Sequence, residues 1–187
     1  MDKGVKMSFI IPDVLLYLAH PRTASMTTEA VLQKGFPEGH STRKHHAGPK
    51  EIDGFTGNEY IFTTIRNPLD TIVSWYLLNK RIGLTNFIMT YTHSEIRDRL
   101  YFFLDYAHSH ILFENLLLGL NRVMGCRCPE TLPHINKTAD KKHWWHYHSI
   151  KTVKLMWQRF PKDMELYYVN VHYAIADLLT RKESCNE

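Results

Sequence analysis

Cysteine is scarce in this chain, and its few cysteines do not suggest a metal site or a disulfide framework. The 187 residues include 3 cysteines, Cys126, Cys128 and Cys185. Cys126 and Cys128 are too close in the chain for an ordinary disulfide, and no second pair is present to complete a zinc site. We therefore predict free thiols in a reducing compartment and expect no bound metal.

Long apolar runs and dense basic stripes are absent as well. No stretch is apolar enough to span a bilayer, and the opening residues MDKGVKMS do not have the pattern of a signal peptide. The formal net charge of +4 suits an anionic ligand, but the basic residues are too dispersed for a typical nucleic-acid surface. We expect a cytoplasmic, soluble protein with neither a membrane nor a nucleic acid as its partner.

The two most familiar nucleotide-binding loops are also missing. The sequence contains no G-x-x-x-x-G-K-[ST], which argues against hydrolysis of ATP with bound magnesium. It contains no G-x-G-x-x-G, which argues against a dinucleotide-binding fold. Any site for a phosphate or sulfate in this chain would therefore use other donors.

The order of strands and helices predicts a single α/β domain over residues 1–187. FIIPDVLLYLA (9–19) has a proline at position 12 and then a near-continuous apolar run to Ala19, typical of a strand buried on both faces. EYIFTTIRNP (59–68) contains a second strand, which ends at Arg66. We predict a helix from Ser25 to Lys34 with Gly35 as its C′ residue, and another starting at Pro68 with Asn67 as cap. We predict a further strand at HILF. We predict helices at three later segments, ENLLLGLNRVMG, SIKTVKLMWQRF and YVNVHYAIADLLTRK. This succession favours a central, mainly parallel sheet flanked by helices.

Both predicted strand-to-helix junctions carry an arginine. Arg22 follows the first strand among several hydroxyl residues, and Arg66 ends the second strand, with Ser74 two turns into the next helix. A helix N-terminus and a guanidinium both favour a phosphate or sulfate, and such junctions meet at one edge of a parallel sheet. Two such junctions predict a nucleotide with two anionic groups. The plainer alternatives are a capped helix with exposed hydroxyls and a surface pairing of Arg66 with Asp70.

Several segments resemble the sulfotransferases that use 3′-phosphoadenosine 5′-phosphosulfate (PAPS). HPRTAS resembles the 5′-phosphosulfate loop of that family, with Ala24 where glycine is common, and IRNPLDTIVSWY resembles its 3′-phosphate motif. HILFENLLLGLNRVMG is similar to the R-[FY]-E-x-L segment, although Leu112 stands where a basic residue is common. LPHINKT and RFPKDMELY resemble two further segments, the first of them from carbohydrate sulfotransferases of the Golgi type. The resemblance implies a P-loop-NTPase-like, three-layer fold.

The resemblance also implies a role for particular residues. Arg22 would hold the 5′-phosphosulfate and stabilise charge on the leaving phosphate, and Arg66 and Ser74 would bind the 3′-phosphate. The loop after the first strand would offer backbone N–H groups from Thr23, Ala24, Ser25 and Met26, with hydroxyls from Ser25 and Thr27. A segment folded over the nucleotide would contain Asn136, Lys137 and Thr138.

Sulfuryl transfer to a hydroxyl also needs a general base near the sulfate. RKHHAG contains His45 and His46 at the place where similar enzymes have a catalytic His or Glu, and neutral-pH titration suits that role. If this segment is extended, only one of the two histidines faces the site, because neighbouring side chains alternate; we favour His46 as the base, with His45 as the alternative. Glu29 or Glu114 is the next candidate for the base. The plainer interpretation is two surface histidines in a polar loop.

The sequence thus predicts a sulfotransferase that moves the sulfuryl group of PAPS in line to a hydroxyl, with 3′-phosphoadenosine 5′-phosphate (PAP) as product. We expect a small-molecule or glycan acceptor, with a carbohydrate favoured, and a bacterial or viral source. Trp144 and Trp145, among several histidines, would stack on a sugar or on adenine, or pack in the protein. The alternative function is a P-loop-like nucleotide-binding protein or a small kinase relative.

Overall fold

The computed structural model describes residues 8–42, 48–78, 82–91, 100–101, 104–133 and 141–184, with side chains of the last helix described to residue 172. The chain forms two compact units. The first consists of Met1–Arg66 and Tyr101–Lys142, and the second of Asn67–Leu100 and His143–Glu187.

The first unit contains a mixed sheet of five strands. They are β1 (Phe9–Ile11), β2 (Leu15–Leu18), β3 (His40–Ser41), β4 (Tyr60–Ile65) and β5 (Ser109–Leu112), in the spatial order β3-β1-β2-β4-β5. β2, β4 and β5 run parallel, whereas β1 pairs antiparallel with both β2 and β3. The α/β class is confirmed, but the sheet is mixed because β1 reverses direction.

The segment from residue 9 to residue 19 forms a hairpin: the strand predicted after Pro12 is β2, and β1, before the proline, is an additional strand that was not predicted separately. Asp13 has a φ of 61°, and the Val14 N–H donates to the Ile11 carbonyl over 3.0 Å, which closes a turn between β1 and β2. The buried carboxylate of Glu59 accepts a hydrogen bond from the Asp13 N–H over 3.1 Å and fixes that turn. The two strand segments are apolar because both are buried on both faces, whereas Pro12, Asp13 and Val14 at the turn are exposed.

In the first unit, α1 (Ser25–Gly35) and α4 (Leu116–Met124) pack against the sheet. The described helices of the second unit are α2 (Pro68–Leu78), α3 (Leu84–Thr90), α5 (Ile150–Arg159) and α6 (Pro161–Ser184). In the first unit, residues of α1 and α4 share one buried apolar cluster with sheet residues such as Phe9, Tyr17 and Phe62. This cluster is the core on which the end of β2 and the start of α1 rest.

Gly35 has a packing role rather than the predicted role of a left-handed C′ residue. It is the last residue of α1, and Phe36 follows as the C-cap. A Cβ atom at position 35 would collide with the Met124 side chain of α4 and reach 3.0 Å from the Arg127 carbonyl oxygen. The glycine therefore permits close approach of the segment that follows α4.

The second unit confirms the predicted start of α2 and the predicted helix at SIKTVKLMWQRF. The Asn67 side chain accepts a hydrogen bond from the Leu69 N–H over 2.9 Å, and α2 begins at Pro68. Pro161 ends the α5 segment, since α5 closes at Arg159 and α6 starts with the proline. Among the described residues, no helix is long and apolar enough to cross a membrane.

The left-handed conformation of Ala24 gives a stability prediction. Ala24 has φ 64° and ψ 29°, a region in which a non-glycine residue costs about 1–2 kcal/mol. We expect Ala24→Gly to raise the free energy of unfolding by up to about 1 kcal/mol. The gain is smaller than the strain it relieves, because glycine gives the unfolded chain more conformational entropy to lose on folding. Ala30→Gly, within the same helix α1, is the matched control and should lower it by about 1 kcal/mol. Chemical denaturation of both variants checks this; equal destabilisation by the two glycines would contradict it.

Candidate anion-binding site

The loop between β2 and α1 has an unusual backbone. Arg22 and Ala24 both have positive φ values, 67° and 64°. Non-glycine residues rarely adopt this region, and they do so most often where a site requires it. Ala24 provides no side-chain cap for α1, and the first turn of the helix contains no acidic residue. The positive end of the α1 dipole therefore lies next to the Arg22 turn, and no acidic side chain in the first turn of α1 neutralises it.

Two hydroxyls of the loop, those of Thr23 and Thr27, are used within the protein. Thr23 is fully buried, and its Oγ1 donates to the His20 carbonyl over 2.8 Å. The Thr27 hydroxyl donates to the Pro133 carbonyl over 3.2 Å, so a phosphate contact by Thr27 would require this bond to be exchanged. Ser25 is 9% exposed and Met26 is 37% exposed. The predicted backbone contacts of residues 23 to 26 stay predictions.

The structure brings the two predicted arginines together. β2 and β4 are neighbouring parallel strands with Leu18 opposite Thr63, so both arginines follow carboxyl ends at the same edge of the sheet. Arg66 Nη1 donates to the Arg22 carbonyl over 3.3 Å. Burial, and in second place the charge of Arg66, lower the pKa of the Arg22 guanidinium. The second of these causes, the charge of Arg66, indicates two cations close enough to repel each other, and an anion between them would relieve that repulsion.

Two aromatic residues hold Arg66 from other sides. Its Cζ lies 4.3 Å from the centroid of the Phe113 ring, at the end of β5, which is a cation–π contact. The Tyr101 hydroxyl donates to the Arg66 carbonyl. Neither aromatic residue was assigned a role from the sequence. Residues that follow the carboxyl ends of parallel strands meet at one edge of the sheet, and Phe113 follows β5, so it could have been predicted in the same way as the arginines. The contact of Tyr101 with Arg66 depends on tertiary structure alone.

Phe113 also lines an open groove of about 490 Å³. The rest of the lining consists of Glu114, Asn115, Asn121 and several leucines from α4 and the segment after it. Phe113 thus belongs both to this groove and to the cation–π contact with Arg66.

The remaining predicted site residues lie in the second unit or outside the described residues. Ser74 belongs to α2 of the second unit and is 2% exposed, so α2 is buried more widely than its predicted apolar stripe. His45 and His46, the base candidates, lie outside the described residues, as do Asn136, Lys137 and Thr138. Their predicted roles stay predictions.

The aromatic and histidine segment of the second unit forms a short 3-10 turn, Trp144–His146. Trp145 is 57% exposed, whereas His148 shares hydrogen bonds with the Leu69 carbonyl at 3.0 Å and with Thr152 Oγ1 at 3.2 Å. Burial lowers the pKa of His148. His148 therefore links α2 to α5. Within the described part of the chain, no three His, Cys, Asp or Glu side chains form a group that could hold a metal ion.

Comparison of this chain with protein-family models, with curated proteins and with solved structures finds no match. The interpretation of the site therefore depends on the sequence motifs and on the arrangement around Arg22 and Arg66.

Pyrophosphate, which carries two linked anionic groups, tests this arrangement directly. We expect it to stabilise the protein more than sodium chloride does at equal ionic strength, by about 2.7 kcal/mol at about 100 times its Kd. Arg22→Asn, which removes the charge but tolerates a left-handed conformation, should abolish most of this gain. Arg127→Gln removes a cation that pairs with Glu38 elsewhere in the first unit, and it should preserve the gain. Thermal unfolding with and without pyrophosphate is the measurement, and an equal gain in all three proteins would contradict the assignment.

Proposed function

We propose that this protein is a PAPS-dependent sulfotransferase that transfers a sulfuryl group to a hydroxyl acceptor, with a carbohydrate as the favoured class. The observation that carries the proposal is the hydrogen-bonded approach of Arg66 to the backbone of Arg22 at the ends of adjacent parallel strands. A pair of cations at this edge suits a ligand with two anionic groups.

The donor set fits a nucleotide that carries a 5′-phosphosulfate and a 3′-phosphate. Two guanidinium forks offer separate donors, and the N-terminus of α1 adds backbone N–H groups and the positive end of its dipole. The groove beside Phe113 offers an apolar surface with amides, which suits the uncharged part of a nucleotide. PAPS, when bound, would supply the activated sulfuryl group.

In this proposal each residue of the site has a defined task. Arg22 stabilises the negative charge that grows on the leaving 5′-phosphate, and Arg66 binds the 3′-phosphate. Ser74 keeps the 3′-phosphate role that its motif implies. His46, or His45 in its place, removes the proton of the acceptor hydroxyl, and the loop after β2 aligns the transfer.

The proposal extends to the fold. The parallel strands β2, β4 and β5, with an anion-binding turn directly before α1, correspond to the core of a P-loop-NTPase-like, three-layer arrangement. In this view the antiparallel strands β1 and β3 are additions at one edge. The alternative function, a P-loop-like nucleotide-binding protein or small kinase relative, predicts magnesium-dependent binding of ATP instead.

The first prediction of the proposal concerns the 3′-phosphate. PAP should bind far more tightly than AMP, and Arg66→Ala should weaken PAP by at least about tenfold, because a hydrogen bond to a charged group is lost. AMP affinity should barely change in that variant, and Ser74→Ala should follow the same pattern more weakly. Titration calorimetry of PAP, AMP and magnesium-ATP is the measurement. Equal affinities of the parent protein for PAP and AMP would contradict the 3′-phosphate assignment, and preferred binding of magnesium-ATP would favour the alternative.

The second prediction separates binding from proton removal. Arg22→Ala should lose both PAP affinity and turnover, since Arg22 acts on the ground state and on the leaving group. His46→Ala should bind PAP normally but lose roughly 10²–10⁴ in turnover, the usual effect of removing a general base. A transfer assay with radiolabelled PAPS against a panel of glycans, run beside PAP calorimetry, measures both. If His46→Ala and His45→Ala each keep parental turnover on a confirmed acceptor, the base is another residue.

A further inference from the structure

A chain of three buried hydroxyl groups runs from the sheet to the Arg22 turn. Tyr17 of β2 and Thr64 of β4 lie on neighbouring strands, and their hydroxyl oxygens are 2.9 Å apart. Thr64 Oγ1 is also 2.9 Å from Thr23 Oγ1. All three side chains are fully buried.

The direction of every hydrogen bond in this chain follows from its last member. Thr23 gives its only hydroxyl proton to the His20 carbonyl, over 2.8 Å. Thr23 therefore accepts from Thr64, and Thr64, having given its own proton, accepts from Tyr17. Tyr17 therefore donates to Thr64, Thr64 donates to Thr23, and Thr23 donates to the His20 carbonyl. Each hydroxyl in this series gives its one proton to the next acceptor.

The end of this chain closes the turn that carries Arg22. The bond from Thr23 to His20 spans Pro21 and Arg22, so it fixes the backbone in which Arg22 takes its left-handed φ of 67°. The Arg22 carbonyl, oriented by the same turn, accepts the hydrogen bond from Arg66. The buried hydrogen bonds therefore fix the backbone conformation of Arg22 directly, and they position the Arg66 guanidinium through the Arg22 carbonyl.

We propose that Tyr17 and Thr64 are positioning residues that hold Arg22 and Arg66 in the geometry that binds the anionic groups of the ligand. They act only through the Thr23 turn and touch no ligand. This inference rests on the proposed function in one respect, the assignment of the two arginines to phosphate or sulfate groups.

The neighbouring Thr63 offers a matched control for Thr64. Thr63 is also fully buried on β4, and its hydroxyl donates to the Leu18 carbonyl over 2.6 Å, but it has no bond to the Thr23 chain. Thr63→Val and Thr64→Val thus make the same chemical change on the same strand. Thr64→Ser retains a hydroxyl and serves as the conservative variant. The double variant Tyr17→Phe/Thr64→Val removes both hydroxyls, so that no buried tyrosine hydroxyl is left without its acceptor.

Two readouts test the inference. PAP affinity should fall about three- to tenfold in Thr64→Val and in the double variant, as expected for loss of a positioning hydrogen bond, and should stay near parental in Thr64→Ser and Thr63→Val. The loss should be clearly smaller in the Arg22→Asn background, because the side chain that is positioned is already gone. Amide hydrogen exchange of residues 22–27 should be faster in Thr64→Val than in Thr63→Val.

The outcomes distinguish this inference from the proposed function. If the parent protein binds pyrophosphate but not PAP, the proposed function fails, and the same comparison is then made with pyrophosphate. Equal anion affinities and equal exchange in Thr63→Val and Thr64→Val would overturn the inference. Destabilisation by Thr64→Val with unchanged anion affinity would also overturn it, since that result assigns the network to the core alone. A parent protein that binds neither anion would overturn both.

Discussion

The parallel pairing of β2 with β4 is the constraint on which the site depends. Because the two strands run in the same direction and in register, the residues that follow them emerge at one edge of the sheet. Arg22 and Arg66, far apart in the sequence, become neighbours for this reason alone. The antiparallel β1 does not alter this edge, since it joins β2 from the other side.

Two cations so close together require rigid support, because the charge of Arg66, after burial, lowers the pKa of the Arg22 guanidinium. Uncharged groups supply part of this support. The hydroxyl chain that ends at Thr23 fixes the turn of Arg22, the Phe113 ring faces the Arg66 guanidinium, and the Tyr101 hydroxyl holds the Arg66 carbonyl. In the proposed function this arrangement is preorganised for an anion, and the strained backbone of Arg22 is part of that preorganisation.

The sequence predicts those features whose signals are local. Asn67 and Pro68 mark the start of α2 by themselves, and the two strand ends alone predict that Arg22 and Arg66 lie at one edge of the sheet. The hairpin was missed because its turn residues, Pro12 and Asp13, have no glycine beside them and so give a weaker signal than Asn-Gly or Asp-Gly. The packing role of Gly35 and the contact of Tyr101 with Arg66 were not predictable, since each depends on a partner distant in sequence.

The most direct test of the central claim is a crystal structure of the protein with PAP bound. The account predicts one PAP molecule at the carboxyl ends of β2 and β4, with its 5′-phosphate on Arg22 and the N-terminus of α1 and its 3′-phosphate on Arg66. The turn from His20 to Ala24 should keep its left-handed residues in that complex. PAP bound elsewhere, or bound here with its 3′-phosphate in solvent, would contradict the account.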